Sequence, residues 1–268
     1  MINIKSIYPI TLIVLWVSPA SFSYADDFSI MQPLTKEQKQ FQYVIDLGLG
    51  ALGKKKYPGA NQTAIQPFLL GTFGRYYIPY LGQVREDRSD GLYFFPVFGS
   101  EGARKADDIP RLEGLRSIDW AGELGLGVGY NWLGWNVFGQ FKKGAVGHYG
   151  TVFRIGGDYT YWLNEHLALR VGPRADFYNN EYIDTYFSVS DEEASRGSLT
   201  SFNADAGLGS YGLSASASYA LSEHYTLQLQ AEWKRFANDA AKSPVVVSRD
   251  TVYVSTGVSY RFSFDFFN

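Results

Sequence analysis

The 268-residue chain has no cysteine, only three histidines and two methionines, and no acidic or basic run longer than three residues. Without cysteine there is no disulfide framework and no thiolate metal or redox site. Charged residues make up 19% of the chain and nearly balance at a net −3, which is unsuited to a polyanionic partner such as nucleic acid. Beyond residue 17 no apolar run approaches the ~20 residues that a spanning helix needs. What is abundant is aromatic or small: 20 Tyr, 19 Phe, 6 Trp and 28 Gly, yet mean hydropathy is slightly negative at −0.17. So many rings without net hydropathy require apolar and polar residues to interleave closely.

The first 25 residues read as an export signal. Lys5 supplies a positive start, Ile7–Val17 an apolar stretch too short to span, and Ser23 and Ala25 the small residues of a cleavage site after Ala25. Residues 26–40 (DDFSIMQPLTKEQKQ) are polar and mixed, which predicts a flexible periplasmic lead-in before a single unit over 41–268.

From Phe41 onward the dominant pattern has period two, the signature of strands with one apolar and one polar face. In Tyr225–Lys234, the residues Tyr225, Leu227, Leu229, Ala231 and Trp233 share one face, and Thr226, Gln228, Gln230, Glu232 and Lys234 the other. Soluble sandwiches alternate too. Three further features point to a membrane: strands of about ten residues or more, rings at both ends of the apolar face (Tyr211 and Tyr219, Tyr225 and Trp233), and tight turns alternating with long polar loops. The predicted fold is all-β, a transmembrane antiparallel up-and-down β-barrel. Strands are expected near 41–52, 62–81, 90–99, 117–130, 134–144, 149–163, 166–180, 206–220, 224–237 and 249–264. Ten is the expected count, with twelve as the alternative because prolines make 62–99 ambiguous.

If the apolar face meets lipid, the other face lines the lumen. This register predicts an inward network of Asp46, Asp119, Glu123, Asp158, Asp176 and Glu232 against Lys142, Arg154, Arg170, Arg174, Lys234 and Arg261. Equal numbers of acids and bases in so narrow a space favour ion pairs that brace the interior, since a lone buried charge is costly. A selective pore would carry an excess of one sign. Small inward residues such as Gly48, Gly50, Gly125, Gly127, Gly129 and Ser214 leave room for a narrow water path.

Chemistry-bearing motifs are scarce. His166 and His224 fall in two similar tight turns, Leu163–Leu167 and Leu221–Tyr225, and read as turn residues. His148 lies between two strands and is the one candidate base, in need of a nucleophile or a water-orienting carboxylate. No Gly-x-Ser-x-Gly elbow, His-Glu-x-x-His helix or phosphate loop occurs. No catalytic, cofactor-binding or metal-binding residue is therefore expected. Lys54-Lys55-Lys56 reads as a loop tip that could meet lipopolysaccharide phosphates. Ser190 with Glu193 three residues on reads as a capped helical turn over the barrel mouth.

Several segments resemble those of one family. Arg111-Leu112-Glu113-Gly114-Leu115-Arg116-Ser117-Ile118-Asp119 followed by Glu123-Leu124-Gly125, Tyr57-Pro58-Gly59-Ala60 with Pro67, and Gly147-His148-Tyr149-Gly150 are similar to stretches of the MltA-interacting protein (MipA/OmpV) family. So are Tyr182–Val189 with Glu193-Ala194, Asn238–Val246, and the closing Ser259-Tyr260-Arg261-Phe262. The resemblance implies a Gram-negative outer-membrane barrel with no cofactor and no defined catalytic residue. It also implies a non-enzymatic scaffold that joins a lytic transglycosylase (MltA) to a peptidoglycan synthase, or alternatively a small-solute channel or a surface interaction protein. Ala60 stands where the family usually has Ser. The chain also continues past Phe262, so either Phe264 or Phe267 serves as the terminal aromatic of barrel assembly.

Overall fold

The computed structural model describes residues 30–80, 82–86 and 90–267; the expected signal segment and its cleavage point lie outside them. Eleven strands form one antiparallel sheet: β1 (Tyr43–Lys55), β2 (Thr63–Ile78), β3 (Gly82–Glu86), β4 (Gly91–Glu101), β5 (Ala121–Trp132), β6 (Trp135–Val146), β7 (Thr151–Trp162), β8 (Leu167–Tyr178), β9 (Gly207–Ala220), β10 (Tyr225–Phe236) and β11 (Asp250–Phe264). Their order is β3-β2-β1-β11-β10-β9-β8-β7-β6-β5-β4, so β1 bonds to both β2 and β11. The two edges, β3 and β4, come within 8 Å of each other without a ladder between them. The sheet is thus curled into a barrel. Among the described residues the count is eleven, close to the expected ten, the additional strand being the five-residue β3 that follows the turn after Ile78.

The turns carry their own chemistry. The Asn164 side chain accepts from the amides of His166 and Leu167, both at 2.9 Å, and the Ser222 hydroxyl accepts from His224 (3.3 Å) and Tyr225 (3.1 Å). Such side-chain closures make a tight turn self-sufficient, which explains the similarity of the two segments. Between β5 and β6 the turn needs left-handed backbone at both Leu133 (φ 48°) and Gly134 (φ 85°), the geometry that matches strand twist.

Tyr225 and Tyr260 pack 5.1 Å apart near the short turns, and Tyr211 and Trp233 6.3 Å apart near the long loops. Tyr225 and Trp233 share a strand eight residues apart, about 27 Å at 3.4 Å per residue. At the tilt of ~40° usual for such strands that length rises about 21 Å, close to the apolar band about 25 Å tall that lies between two aromatic belts.

The inward glycines do not leave space. A Cβ on Gly127 would stand 2.2 Å from the Phe95 ring, one on Gly129 2.4 Å from Tyr93, and one on Gly156 2.4 Å from Phe138. Each glycine is a seat for a neighbouring ring, and Phe95, Val97 and Phe138 form an apolar cluster inside the barrel. At Gly127 and Gly129 the room that a narrow water path would need is taken by rings.

Candidate functional site: a lumen stoppered at both ends

The charges form a ladder up the lumen. Lowest is Arg261, whose Nε and Nη2 donate to the two Asp46 oxygens at 2.7 and 2.8 Å. Above it Arg174 binds Asp158 at 2.9 and 3.0 Å, with its guanidinium 4.8 Å from the centre of the Phe138 ring. Higher still, Arg154 bridges Asp176 (2.6 and 3.1 Å) and Glu232 (3.2 and 3.3 Å), while Lys234 stands 3.6 Å from Asp176. Lys142 binds Glu123 at 2.7 Å. Arg170 is on the same face and donates to the Thr160 hydroxyl at 3.1 Å. Asp119 does not belong to this set. β5 starts only at Ala121; Ile118 is held in a bridge to Arg104, and Asp119 turns outward to an exposed pair with Lys105 at 2.5 Å.

The lower mouth is filled by the segment that reads as a mobile lead-in. Ile30, Met31, Gln32 and Leu34 are buried inside the barrel. The Ile30 carbonyl accepts from Ser218 (3.0 Å) and Gln228 (3.1 Å), and Gln32 donates to the Ser218 hydroxyl at 2.9 Å. Arg261 donates to the carbonyls of Gln32 (3.0 Å) and Pro33 (3.1 Å) with the donors that Asp46 leaves over. Met31 packs so closely on Gly74 that a Cβ there would stand 1.8 Å from its sulfur. Residues 30–34 of the expected lead-in are thus held inside the barrel: polar lumen groups satisfy the backbone of this segment, which costs less than leaving both unpaired.

The upper mouth is closed by the long loops, which carry three short helices, α1 (Asn180–Phe187), α2 (Asp191–Arg196) and α3 (Asn238–Lys242). Asn179 caps α1 through the Tyr182 amide, and Ser190 and Glu193 close a reciprocal capping box on α2 as their spacing suggests. Tyr178, Tyr182, Tyr186, Phe187 and Phe236 pack into one core over the lumen, and Tyr57, Ala60, Leu112, Leu115, Val189 and Val245 into a second above it. The Gly59 carbonyl accepts from Val247 (2.8 Å) and Ser248 (3.0 Å), strapping the first outer loop to the last. Buried Arg104 donates to the Tyr186 carbonyl at 3.0 Å, and burial lowers its pKa to about 10. Burial alone would raise the Glu193 carboxyl; hydrogen bonds from the Arg116 amide and from Ser190 outweigh it and hold the group below its ordinary value.

His148 belongs to this closure. Its Nδ1 accepts from the Gly150 amide at 3.0 Å, which assigns the proton to Nε2, 3.4 Å from Glu123 Oε1. The rings of Tyr182 and Tyr186 meet it edge-on at 5.4 Å. Nδ1 is the hydrogen-bonded nitrogen, Nε2 only approaches Glu123, and that approach sets the imidazole between cap and lumen ladder. His166 and His224 stay in their turns. Lys54 does not belong to a loop tip: it ends a lumen-facing row of β1, is buried, and donates to the Ser100 carbonyl at 3.3 Å, whereas Lys55 is half-buried and donates to the Asn61 carbonyl at 2.8 Å. Among the described residues no cluster of His, Asp and Glu could hold a metal.

A curled antiparallel sheet with an apolar outer band, two aromatic belts and a polar stoppered interior defines an outer-membrane β-barrel protein. Within that class, the family model of the MltA-interacting protein MipA matches residues 47–262, and the chain belongs to this family. It is similar to the 24 kDa outer membrane protein of Pasteurella multocida (strain Pm70), 23% identical over 236 residues that cover 82% of this chain and 90% of that one. Among solved structures it is similar to Neisserial surface protein A, with TM-score 0.30 and 8% identity over 83% of this chain and 97% of that one. A Pseudomonas aeruginosa FadL homologue gives TM-score 0.38 and 7% identity over 83% and 90%. The segments that carry the family resemblance, Tyr57–Ala60, Arg111–Ile118, Tyr182–Val189 and Asn238–Val246, converge in the outer cap.

Proposed function

We propose that the chain, after cleavage of its signal peptide near Ala25, is a non-enzymatic scaffold in the outer membrane of a Gram-negative cell. On this reading it brings a lytic transglycosylase and a peptidoglycan synthase together at the periplasmic face. The observation that carries the reading is the double closure of the lumen, by residues 30–34 below and by the α1 core above, with Asp46, Glu123, Asp158, Asp176 and Glu232 all paired to bases. A stoppered interior leaves activity to the two faces, and the family's name points to a murein hydrolase as the partner at one of them. Lipid surrounds the apolar band, and Lys55 and Lys56 at the outer rim are placed to meet lipopolysaccharide phosphates. The test is a pull-down of purified lytic transglycosylases on the immobilised barrel. Enrichment over an unrelated barrel of similar size is the expected result, and none would contradict the scaffold reading.

One observation favours a small-solute channel instead: a cavity of about 140 Å³ lies inside the barrel, walled by Lys142, Arg154, Asp176 and Gln230 among others. Planar-bilayer conductance separates the two readings.

A further inference from the structure

The barrel is not zipped all the way round. β3 pairs with β2 only from Arg75 to Ile78, so the free edge of β2 from Thr63 to Gly74 faces the free edge of β4 without a ladder among the described residues. Unpaired backbone groups at membrane depth cost several kcal/mol each, and such an opening persists only where something replaces the missing bonds. Two side chains do so: the Tyr76 hydroxyl donates to the Phe94 carbonyl, and Lys54 donates to the Ser100 carbonyl at 3.3 Å. Since alternate carbonyls point the same way, Phe94, Pro96, Phe98 and Ser100 all present their backbone to the seam. Pro96 has no N–H to offer there, and Pro67 on the facing strand has none either. Two prolines thus keep the edges from zipping.

The 140 Å³ cavity lies directly behind this seam. Phe98, exposed on the lipid side, is one of its lining residues, so only β4 separates the cavity from the lipid face there. Its near wall is apolar, from Leu52, Phe68 and Val97. Lys54 stands at the mouth with the Ser100 carbonyl as its only hydrogen-bond partner and with no carboxylate within 4.0 Å among the described residues, and the Ser100 hydroxyl beside it is buried with no partner. Both side chains are more than nine-tenths buried. On the outer surface below, an apolar groove of about 480 Å³ lined by Ile45, Phe73, Tyr76, Pro96 and Phe264 continues along the same seam. Water-borne solutes meet a stopper at either end, whereas a molecule in the membrane meets an opening.

We propose that the β2–β4 seam is a lateral entrance through which a single-chain anionic amphiphile, a long-chain carboxylate, enters the cavity from the membrane, its head taken by Lys54 and the Ser100 hydroxyl and its tail lying along Pro96 toward the outer groove. A cavity of this size takes about one benzene-sized group, which suits a head and the first carbons of one chain and excludes a two-chain lipid. The position of Lys54 and Ser100, at the outer ends of β1 and β4, sets the head at the level of the outer interface.

The test is photo-crosslinking to the barrel in lipid nanodiscs of palmitate that carries its diazirine next to the carboxylate, with the labelled peptides mapped by mass spectrometry. Labelling at Phe68, Val97 and Phe98 is expected, suppressed at least tenfold by excess laurate and unaffected by the cationic dodecyltrimethylammonium. Lys54→Met should lower it at least fivefold while Lys55→Met leaves it unchanged. Val97→Trp, which fills the cavity without altering a charge, should lower it equally and covers the case in which Lys54→Met fails to assemble. Label confined to peptides of the outer groove, equal competition by the cation, or labelling no greater than in an unrelated barrel would each overturn the proposal.

Discussion

Arg261 and Asp46, 215 residues apart, meet through two hydrogen bonds of 2.7 and 2.8 Å and so tie the last strand of the barrel to the first. The same guanidinium holds the carbonyls of Gln32 and Pro33, which makes one side chain the junction of barrel closure and lower stopper. Removing one partner of a buried ion pair costs about 3–5 kcal/mol because the other charge is stranded. Arg261→Ala should therefore lower the temperature at which the folded band converts to the unfolded band in gel electrophoresis. Lys105→Ala, which breaks only the exposed pair with Asp119, should not move it.

The lower stopper can be probed with a single thiol, because the chain has no cysteine of its own. Ser218 is fully buried beneath Ile30 and Gln32. In the full chain Ser218→Cys should resist a water-soluble maleimide added from the periplasmic side. Deleting residues 30–38 should raise its reaction rate at least tenfold, and equal rates would show that the segment does not occupy the lumen.

The ring seats predict an intolerance that composition alone does not. Gly127→Val would drive a side chain into the Phe95 ring, where even a Cβ stands 2.2 Å away. Overpacking of this kind costs about 1–3 kcal/mol, so the variant should unfold at lower denaturant concentration, and the paired Gly127→Val, Phe95→Ala change should recover part of the loss.

The cap carries a pH dependence through Glu193. Its folded pKa lies below the ordinary 4.5, so the ionised form is the one that the cap stabilises. That contribution is fully present above pH 4.5 and is lost as pH falls through the depressed folded value. Hydrogen exchange of the Ser190–Arg196 amides, corrected for intrinsic rate, should be slow at pH 6 and accelerate below pH 4. Glu193→Gln should remove most of that difference.

Much of this architecture is written locally. Alternation fixes which side chains of β10 and β11 face inward, and the partners Arg154–Asp176 and Lys142–Glu123 follow once neighbouring strands are aligned. Asp119 misleads because alternation in Ser117–Glu123 continues backward beyond the strand, while the bridge of Ile118 to Arg104 that ends it is a tertiary contact. The stopper is invisible for a related reason. Ile30-Met31-Gln32 has no periodicity, and its place depends on a hole shaped by Gly74, Ser218 and Gln228 from three distant strands. His148 could be singled out by residue type, but its place depends on the Gly150 amide and on Glu123 of the neighbouring strand β5. The open seam did leave a trace, in the prolines at 67 and 96 that make the strand count ambiguous.

Single-channel recording in planar bilayers bears most directly on the central claim, that the lumen is closed by its own chain at both ends. The full chain should insert, as shown by recovery of folded protein from the membrane, and give no reproducible conductance steps at any holding potential. Uniform steps from that same folded preparation would contradict the claim and make the barrel a channel.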